Sequence, residues 1–342
     1  MSSVLNIERF IIPIDVVINL TNIYKWIGQN DFFLNSIKGD LNRAVEQTIE
    51  RDTFFMMQIL GLDISDARTR LIITKNSNPR NKDETTLFNI KEILTIMQKK
   101  YKVTRHQSND LLNIINYIYS HYNDIKFDYI DTGKRVVLKS QATKSKRLLL
   151  DEINSQIDIY IEKNSYEKII LYLNYFIDFY NIAPFTNHNE TAALILLYLL
   201  ILKSDLEAFR YISFFELLYE NYQEFKIEVH NASFNWKEGF AQTLGFVRFM
   251  TKLILKGYQK AYTIIKDYKF DSNLNKGDNI ENTIYKLPDI FTKDEIRMLH
   301  PYVSESTINR ALMKMRDEGS IKPLGRGRSA KWVKIYKGYN HD

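Results

Sequence analysis

The sequence has no cysteine among its 342 residues. Disulfide bonds, thiolate metal sites and a cysteine nucleophile are therefore excluded. Glycine and proline are also scarce, with 12 and 6 residues, which argues against a turn-rich all-β fold and against long flexible linkers. By contrast, 22 Tyr, 20 Phe and 3 Trp residues are enough to fill a large core. The composition and length favour a mainly α-helical globular protein with two or three domains.

Long apolar runs are absent as well. The longest, Ala192–Leu202, ends at Lys203 and is far shorter than the roughly 20 residues that a membrane span requires. Residues Met1–Asn6 show no basic stretch followed by an apolar run, so we expect no signal peptide. The sequence therefore predicts a cytoplasmic protein that has no membrane partner.

The positive charge is concentrated at one end of the chain. The net charge is +6, and the segment Lys293–Asp342 alone holds eleven basic and six acidic residues. A nearly neutral body with a basic end indicates an anionic partner for that end, with nucleic acid as the first candidate. A second basic run without acids, Lys139–Arg147, is either a further DNA contact or a solvated loop.

Most of the sequence has the apolar period of helices, for example at Leu41–Met57, Ser213–His230 and Thr243–Tyr268. The segment Ile125–Leu138 instead has two short β-prone runs around Asp131-Thr132-Gly133 and predicts a hairpin. The polar segment Asp271–Asp278 predicts a linker. We therefore expect an N-terminal helical region at 1–110, a core at 111–270, a linker at 271–278 and a C-terminal domain at 279–342.

The basic end carries clear signals for two helices. Thr292 and Glu295 form a capping box for a short helix. Ser304 is placed to cap a second helix, Glu305 to Glu318, and Gly319 follows where a left-handed C-terminal cap favours glycine. The residues after this glycine predict two strands, Ser320–Pro323 and Lys331–Tyr336.

This order of helix, turn, helix and basic-tipped hairpin resembles a winged helix-turn-helix domain. The resemblance implies that the second helix enters the major groove of double-stranded DNA by its N-terminal residues and that the hairpin tip reaches phosphates or the minor groove. A winged domain used for protein contacts is the alternative. The predicted DNA-binding residues are Ser306, Thr307, Asn309, Arg310 and Lys314 on the helix and Arg326, Arg328 and Lys331 on the wing.

The segment Ile182–Leu194 reads IAPFTNHNETAAL and resembles the signature loop of Fic-domain proteins, H-P-F-x-[D/E]-G-N-G-R-x-x-R. The likeness extends over about residues 1–270, because the apolar helix at Ala192–Leu202 and the long helix at Thr243–Tyr262 follow in the family's order. Upstream, Ala44–Arg51 is similar to the family's inhibitory-helix segment. The resemblance implies a Fic-like helical domain with a short β-hairpin flap, followed by the winged helix-turn-helix domain.

In that family the motif histidine is a general base that lets a target hydroxyl attack a nucleotide phosphate. The motif acid holds magnesium, while the glycines and arginines accommodate and neutralise the phosphates. This sequence has Ala183 at the base position and Asn187 at the metal-binding position. The two glycine positions hold His188 and Glu190, and the first arginine position holds Thr191. The matching residues are Pro184, Phe185 and Asn189.

The resemblance therefore implies a catalytically inactive loop formed by Asn187, His188, Asn189, Glu190 and Thr191, with no catalytic residue, metal or cofactor. Glu190 at a helix start would also repel a phosphate. We expect a DNA-binding transcriptional regulator whose Fic-like body serves dimerisation or effector sensing, with a homodimer and a small-molecule or nucleotide effector. The alternatives are a Fic-type protein adenylyltransferase or other nucleotidyltransferase with residual or altered activity, in which His188 is a relocated base, and a protein-interaction module.

Overall fold

A computed structural model describes residues 2–37, 41–122, 124–130, 145–272, 276–300, 303–325 and 330–335. This part of the chain is mainly helical and contains one small three-stranded sheet, which confirms the expected fold class. The chain forms two compact units. The helical body comprises Met1–Asn30 and Thr48–Tyr258, and the C-terminal unit comprises Asp31–Gln47 and Gln259–Asp342.

The helices follow one another with short connections. In the first half they are α1 (Ile14–Ile27), α2 (Asn30–Ser36), α3 (Leu41–Leu60), α4 (Asp66–Lys75), α5 (Lys82–Lys100), α6 (Ser108–Ile118) and α7 (Lys146–Glu162). The later ones are α8 (Lys168–Ile182), α9 (Asn189–Lys203), α10 (Phe214–Glu220), α11 (Tyr222–Ala232), α12 (Leu244–Ser272), α13 (Lys276–Lys286), α14 (Lys293–Leu299) and α15 (Glu305–Asp317). Two single 3₁₀ turns lie at Ile7–Arg9 and Glu207–Arg210.

Helices α8 and α9 form the centre of the helical body. Every residue from Ala192 to Leu202 in α9 is at most 2% exposed, as expected for a helix that is apolar on all sides. Helix α9 packs against α8 and α6, and α7 covers α8. The end of α8 and the start of α9 are therefore held by buried packing, so the loop between them has fixed ends.

The region predicted as one helix at Ser213–His230 contains two helices, α10 and α11. The break is at Asn221, whose backbone leaves the helical region with φ −121°. Its side-chain Nδ2 donates to the Leu217 carbonyl at 2.7 Å, a local bond that competes with the helical ladder. The apolar period continues across the break, which is why the pattern alone missed it.

The segment predicted as a hairpin at Ile125–Leu138 is described only in its first half. Residues Phe127 and Tyr129 pair with Phe185 and Ser145, respectively, in isolated antiparallel bridges. Its start is fixed by Asn116, whose side chain bonds both backbone groups of Ile125 at 2.9 and 3.0 Å. The second β-prone run and the tip lie outside the described residues.

The C-terminal unit builds its core from helices and a sheet. Strands β1 (Ile290–Thr292), β2 (Ile321–Pro323) and β3 (Lys331–Lys334) form an antiparallel sheet in the order β1-β3-β2. The sequence analysis did not predict β1, which has a single buried residue, Phe291, and is too short to show an alternating pattern. Helix α15 packs against α13, α14 and β2, and the shared core consists of Ile280, Ile284, Phe291, Ile296, Ile308, Ala311, Leu312, Met315, Ile321 and Trp332.

The helix ends of this unit agree with the sequence signals. Thr292 and Glu295 form a complete capping box for α14. The Ser304 hydroxyl accepts from the Thr307 amide at the start of α15. Gly319 has φ 74°, the left-handed conformation that favours glycine. The residues of the predicted linker 271–278 belong to the end of α12 and the start of α13, with 273–275 outside the described structure.

The described helices were also compared with the requirements of a membrane span. None of those helices combines the length with the apolar character that crossing a bilayer demands.

Candidate functional site

The loop between α8 and α9 contains two non-glycine residues in the left-handed backbone region. Ala183 follows α8 with φ 43°, and its amide donates to the Phe179 carbonyl at 3.0 Å. His188 precedes α9 with φ 59°. This conformation is uncommon for residues with a Cβ atom, and it persists only where surrounding contacts hold it.

Asn189 supplies one of these contacts by closing the loop on itself. Its Oδ1 accepts from the Phe185 amide at 2.9 Å, and its Nδ2 donates to the Phe185 carbonyl at 2.7 Å. Phe185 is 1% exposed, so its backbone groups depend on Asn189 in place of water. The asparagine therefore holds the loop in a single conformation.

A second set of contacts ties the loop to the segment 125–130. The Asp128 amide donates to the Pro184 carbonyl and the Thr186 amide to the Lys126 carbonyl, both at 2.9 Å. Lys146, at the start of α7, joins both chains, because its Nζ reaches Asp128 Oδ2 at 2.7 Å and the Ala183 carbonyl at 3.1 Å. This lysine holds the pKa of Asp128 below its usual value through their hydrogen bond.

Aromatic rings cover the start of α9. The His188 imidazole stacks on the Tyr119 ring with centroids 3.5 Å apart and an interplanar angle of 13°. The Tyr119 hydroxyl lies 2.7 Å from Thr191 Oγ1, and both residues are buried. The rings of Tyr122 and His121 flank this stack. Burial, followed by the nearby His121, lowers the pKa of His188, so its imidazole is neutral at neutral pH.

Glu190, in the first turn of α9, is the acidic group of the loop. Its Oε1 accepts from the Tyr222 hydroxyl at 2.9 Å. Burial raises the pKa of Tyr222, and the Glu190 charge adds to that rise. A carboxylate here is favoured by the helix dipole and fills the position in which a helix N-terminus would otherwise attract an anion.

The loop brings no general base or metal site together. The side chain at position 183 is a methyl group, which cannot accept a proton, and Asn187 is an exposed amide. Within the described ranges, no group of three or more His, Asp or Glu side chains is arranged to hold a metal ion. The arrangement is a rigid loop whose polar groups mostly satisfy one another.

The predicted DNA-binding residues of α15 lie on one end of that helix with different degrees of freedom. Ser306 and Arg310 are exposed, and Asn309 is half-buried. The Thr307 side chain bonds Ser304 Oγ at 2.6 Å as part of the cap. Lys314 is paired with Glu281 of α13 at 2.7 Å, which the sequence gave no means to foresee.

The residues predicted for the wing are described only in part. Lys331 is exposed at the start of β3, and Lys322 is exposed on β2, where it pairs with Val333 in the sheet. Arg326 and Arg328 lie outside the described residues. The hairpin therefore carries basic side chains on both described strands.

Sequence analysis missed three residues that the structure brings to these regions. Tyr119 and Tyr222 reach α9 from elements 72 and 32 residues away, and no local pattern marks such contacts. Within the C-terminal unit, the Arg43 guanidinium donates to the Val303 carbonyl just before α15. It adds a cation near the end of the helix on which the predicted DNA-binding residues lie.

No protein-family model matches the sequence, and no curated protein matches it. Solved structures are similar to it in fold. A Fic-domain-containing signalling protein from Bacteroides thetaiotaomicron has a TM-score of 0.52 and 13% identity, covering 72% of this chain and 96% of that one. A fragment of Fic-1 from C. elegans has a TM-score of 0.51 and 16% identity, covering 72% of each chain. A Fic family protein from Desulfovibrio desulfuricans has a TM-score of 0.49 and 12% identity, covering 97% of this chain and 99% of that one. On the first two likenesses, this chain has the fold of Fic-domain proteins over about 72% of its length.

Proposed function

We propose that this protein is a DNA-binding transcriptional regulator in which a catalytically inactive Fic-like body serves dimerisation or effector sensing. The observation that carries the proposal is the C-terminal unit. There a helix with an exposed arginine in its N-terminal half packs beside a hairpin with lysines on both described strands. These elements belong to the most basic part of the chain.

The order of elements in the C-terminal unit supports a winged helix-turn-helix domain. Helix α13, strand β1, helices α14 and α15 and the strands β2 and β3 follow one another, and the sheet has the order β1-β3-β2. Such a domain places its second helix of the pair, here α15, in the major groove. The buried stripe of α15, which includes Ile308 and Met315, faces the core, so its opposite face is free for a partner.

The exposed chemistry of α15 supports DNA as that partner. Arg310 can bond the acceptor edge of guanine or a phosphate. Glu305, exposed in the first turn, suits the amino group of cytosine. Lysines on the hairpin fit phosphates, which bind cations without regard to base sequence.

The loop between α8 and α9 supports an inactive body. On its alignment with the Fic motif, the base position holds Ala183 and the phosphate-facing helix start holds Glu190 bonded to Tyr222. The Tyr119–His188 stack covers the same helix start. A nucleotide phosphate would have to displace a carboxylate and two rings, and no described metal cluster would help it to do so.

Selection of fragments from random double-stranded DNA tests the proposal, followed by a salt titration of the best fragment. We expect one enriched motif, an affinity that falls steeply as salt rises, and a two-fold arrangement of half-sites if the protein binds as a dimer. Weak binding without an enriched motif, or no binding at low salt, contradicts a sequence-specific regulator. A monomer at micromolar concentration with and without DNA contradicts the dimer.

The inactive body is tested separately by incubation with ATP and other nucleotides in the presence of Mg²⁺. We expect no nucleotide on the protein itself or on a bait protein, as measured by intact mass. Modification of either protein would instead support the alternative, a Fic-type nucleotidyltransferase with altered residues.

A further inference from the structure

The helical body contains a cavity of about 300 Å³ that lies away from the loop between α8 and α9. One wall is the N-terminal segment around Ser3, Arg9 and Phe10, and the other is the segment from Gly239 to Leu244. This volume is at the lower end of the range for small-molecule sites. The residues of the motif loop do not line it.

The charge of the cavity lining is one-sided. Arg9 is the single charged residue among those that line the cavity. Its guanidinium lies 5.8 Å from the centroid of the Phe240 ring, and among the described residues no carboxylate lies within ion-pair distance of it. An exposed cation on an apolar lip favours an anion that also carries an apolar group.

A buried hydroxyl in the same cavity has no partner. Ser3 Oγ is buried and has no hydrogen-bond partner in the described structure, although the Ser3 amide is bonded to Asp178 at 2.6 Å. Buried polar groups are nearly always paired, and the exceptions often mark a binding site. The hydroxyl can donate to an anion that Arg9 attracts.

The start of α12 adds a third favourable group. Leu244, the first residue of α12, lines the cavity, and the first amides of a helix have no partner within that helix. The hydroxyl of Thr243, which precedes α12, donates to Asn174 Oδ1 at 2.9 Å. Thr243 therefore directs its proton to α8, and the helix start contributes its partial positive charge to the cavity.

The apolar part of the lining defines the rest of the ligand. Phe10, Ile11 and Phe240 form the lip, and Ile11 and Phe240 are 86% and 60% exposed. Exposed apolar side chains around a polar floor are typical of a site for a small amphipathic molecule. We propose that this cavity binds a small carboxylate with an aromatic or branched aliphatic group, held by Arg9, Ser3 Oγ and the start of α12.

This site gives a physical identity to the effector in the proposed function, on which its regulatory meaning rests. Both walls are attached to one buried carboxylate, because Asp178 accepts from Ser2, Ser3 and Val4 on one side and from Trp236 on the other. Asp178 lies on α8, five residues before Ala183. A ligand that orders the walls would therefore act on the helix that leads into the loop.

Calorimetric titration of the full chain with benzoate, phenylacetate, isovalerate and phenyl phosphate tests the site, with benzyl alcohol as the uncharged control. We expect binding of at least one carboxylate and at least tenfold weaker binding in Arg9→Gln. Ala241→Leu, which fills the cavity, should block binding without loss of fold. Arg105→Gln is the matched control, since Arg105 lines a different cavity and should leave the affinity unchanged.

Three results would overturn the site: no carboxylate binding at about 10 mM, equal binding of benzyl alcohol, or equal loss of affinity in Arg9→Gln and Arg105→Gln. Binding of phenyl phosphate alone would identify the source as a phosphate ester and overturn the carboxylate assignment. Because the titration contains no DNA, its result is independent of the DNA selection. Carboxylate binding without DNA binding would preserve the site and reject the regulator.

Discussion

The imidazole of His188 lies flat against the ring of Tyr119, with centroids 3.5 Å apart. The hydroxyl of the same tyrosine reaches Thr191 at 2.7 Å, so one side chain from outside the loop fixes both the residue before α9 and its first turn. His188 has a left-handed backbone, which costs free energy for a residue with a Cβ atom. The stack offsets that cost and keeps the start of α9 covered.

The bond between Tyr119 and Thr191 gives the first prediction. Tyr119→Phe keeps the stack but leaves the buried Thr191 hydroxyl without its partner, so we expect a loss of about 1–2 kcal/mol in the free energy of unfolding. Tyr122→Phe is the matched control, because Tyr122 is 45% exposed and its change should be close to zero. Urea denaturation measures both. Equal effects of the two substitutions would show that the Tyr119 hydroxyl contributes nothing.

The second prediction concerns the paired asparagines of the loop. Asn189→Ala removes both bonds to the backbone of Phe185 and should cost about 2 kcal/mol in stability, since two buried backbone groups lose their partners. Asn187→Ala, two residues earlier and exposed, should change stability by less than about 0.5 kcal/mol. Thermal or urea unfolding of the two variants gives the comparison. A stability loss in Asn187→Ala as large as in Asn189→Ala would contradict the assigned role.

The sequence alone is sufficient for features that depend on near neighbours. The apolar run in α9, the capping box of Thr292 and Glu295 and the left-handed Gly319 are all written within a few residues. The Tyr119–His188 stack joins positions 69 residues apart, and Lys314 pairs with Glu281 of another helix. Such contacts follow from packing, which one sequence does not reveal.

A fully buried carboxyl provides the third prediction. Asp52 accepts from Ser213 Oγ at 2.7 Å, the Phe215 amide at 2.9 Å and the Tyr198 hydroxyl at 2.9 Å. Burial raises the pKa of Asp52 from 3.8 to about 7 despite these three donors. The folded state therefore binds the proton more tightly than the unfolded chain, and stability from this group falls as pH rises from about 4 to about 7.

Asp52→Asn cannot titrate, so the wild-type protein should lose stability relative to this variant as pH rises through that window. The slope should be at most about 1.4 kcal/mol per pH unit. Glu84 has the opposite sign, since its hydrogen bonds to Arg68 lower its pKa, and wild type should lose stability relative to Glu84→Gln as pH falls through the lowered pKa. Unfolding free energies measured from about pH 4 to about pH 8 test both. A constant gap between wild type and Asp52→Asn would reject the raised pKa.

The fourth prediction concerns Asp178 and the N-terminal segment. Asp178→Ala leaves the donors of Ser2, Ser3, Val4 and Trp236 unpaired, so we expect a loss of about 3 kcal/mol or more. The amides of Ser3 and Val4 should also lose their hydrogen-exchange protection. Trp236→Phe removes one donor and should leave that protection in place. Retained protection of both amides in Asp178→Ala would mean that other contacts hold the segment.

The last prediction separates three cations of α15. Arg310 is exposed, whereas Lys314 is paired with Glu281 at 2.7 Å and Arg316 with Asp317 at 2.7 Å. If DNA lies against the N-terminal half of α15, Arg310→Ala should lower the affinity most and reduce the slope of log affinity against log salt by about 1 for one phosphate contact. A smaller change in slope with lost base preference would indicate contact with a guanine. Lys314→Ala and Arg316→Ala remove the same charge from partly neutralised positions and should have smaller effects. Equal effects of all three substitutions would indicate a general electrostatic attraction and contradict docking by this end of the helix.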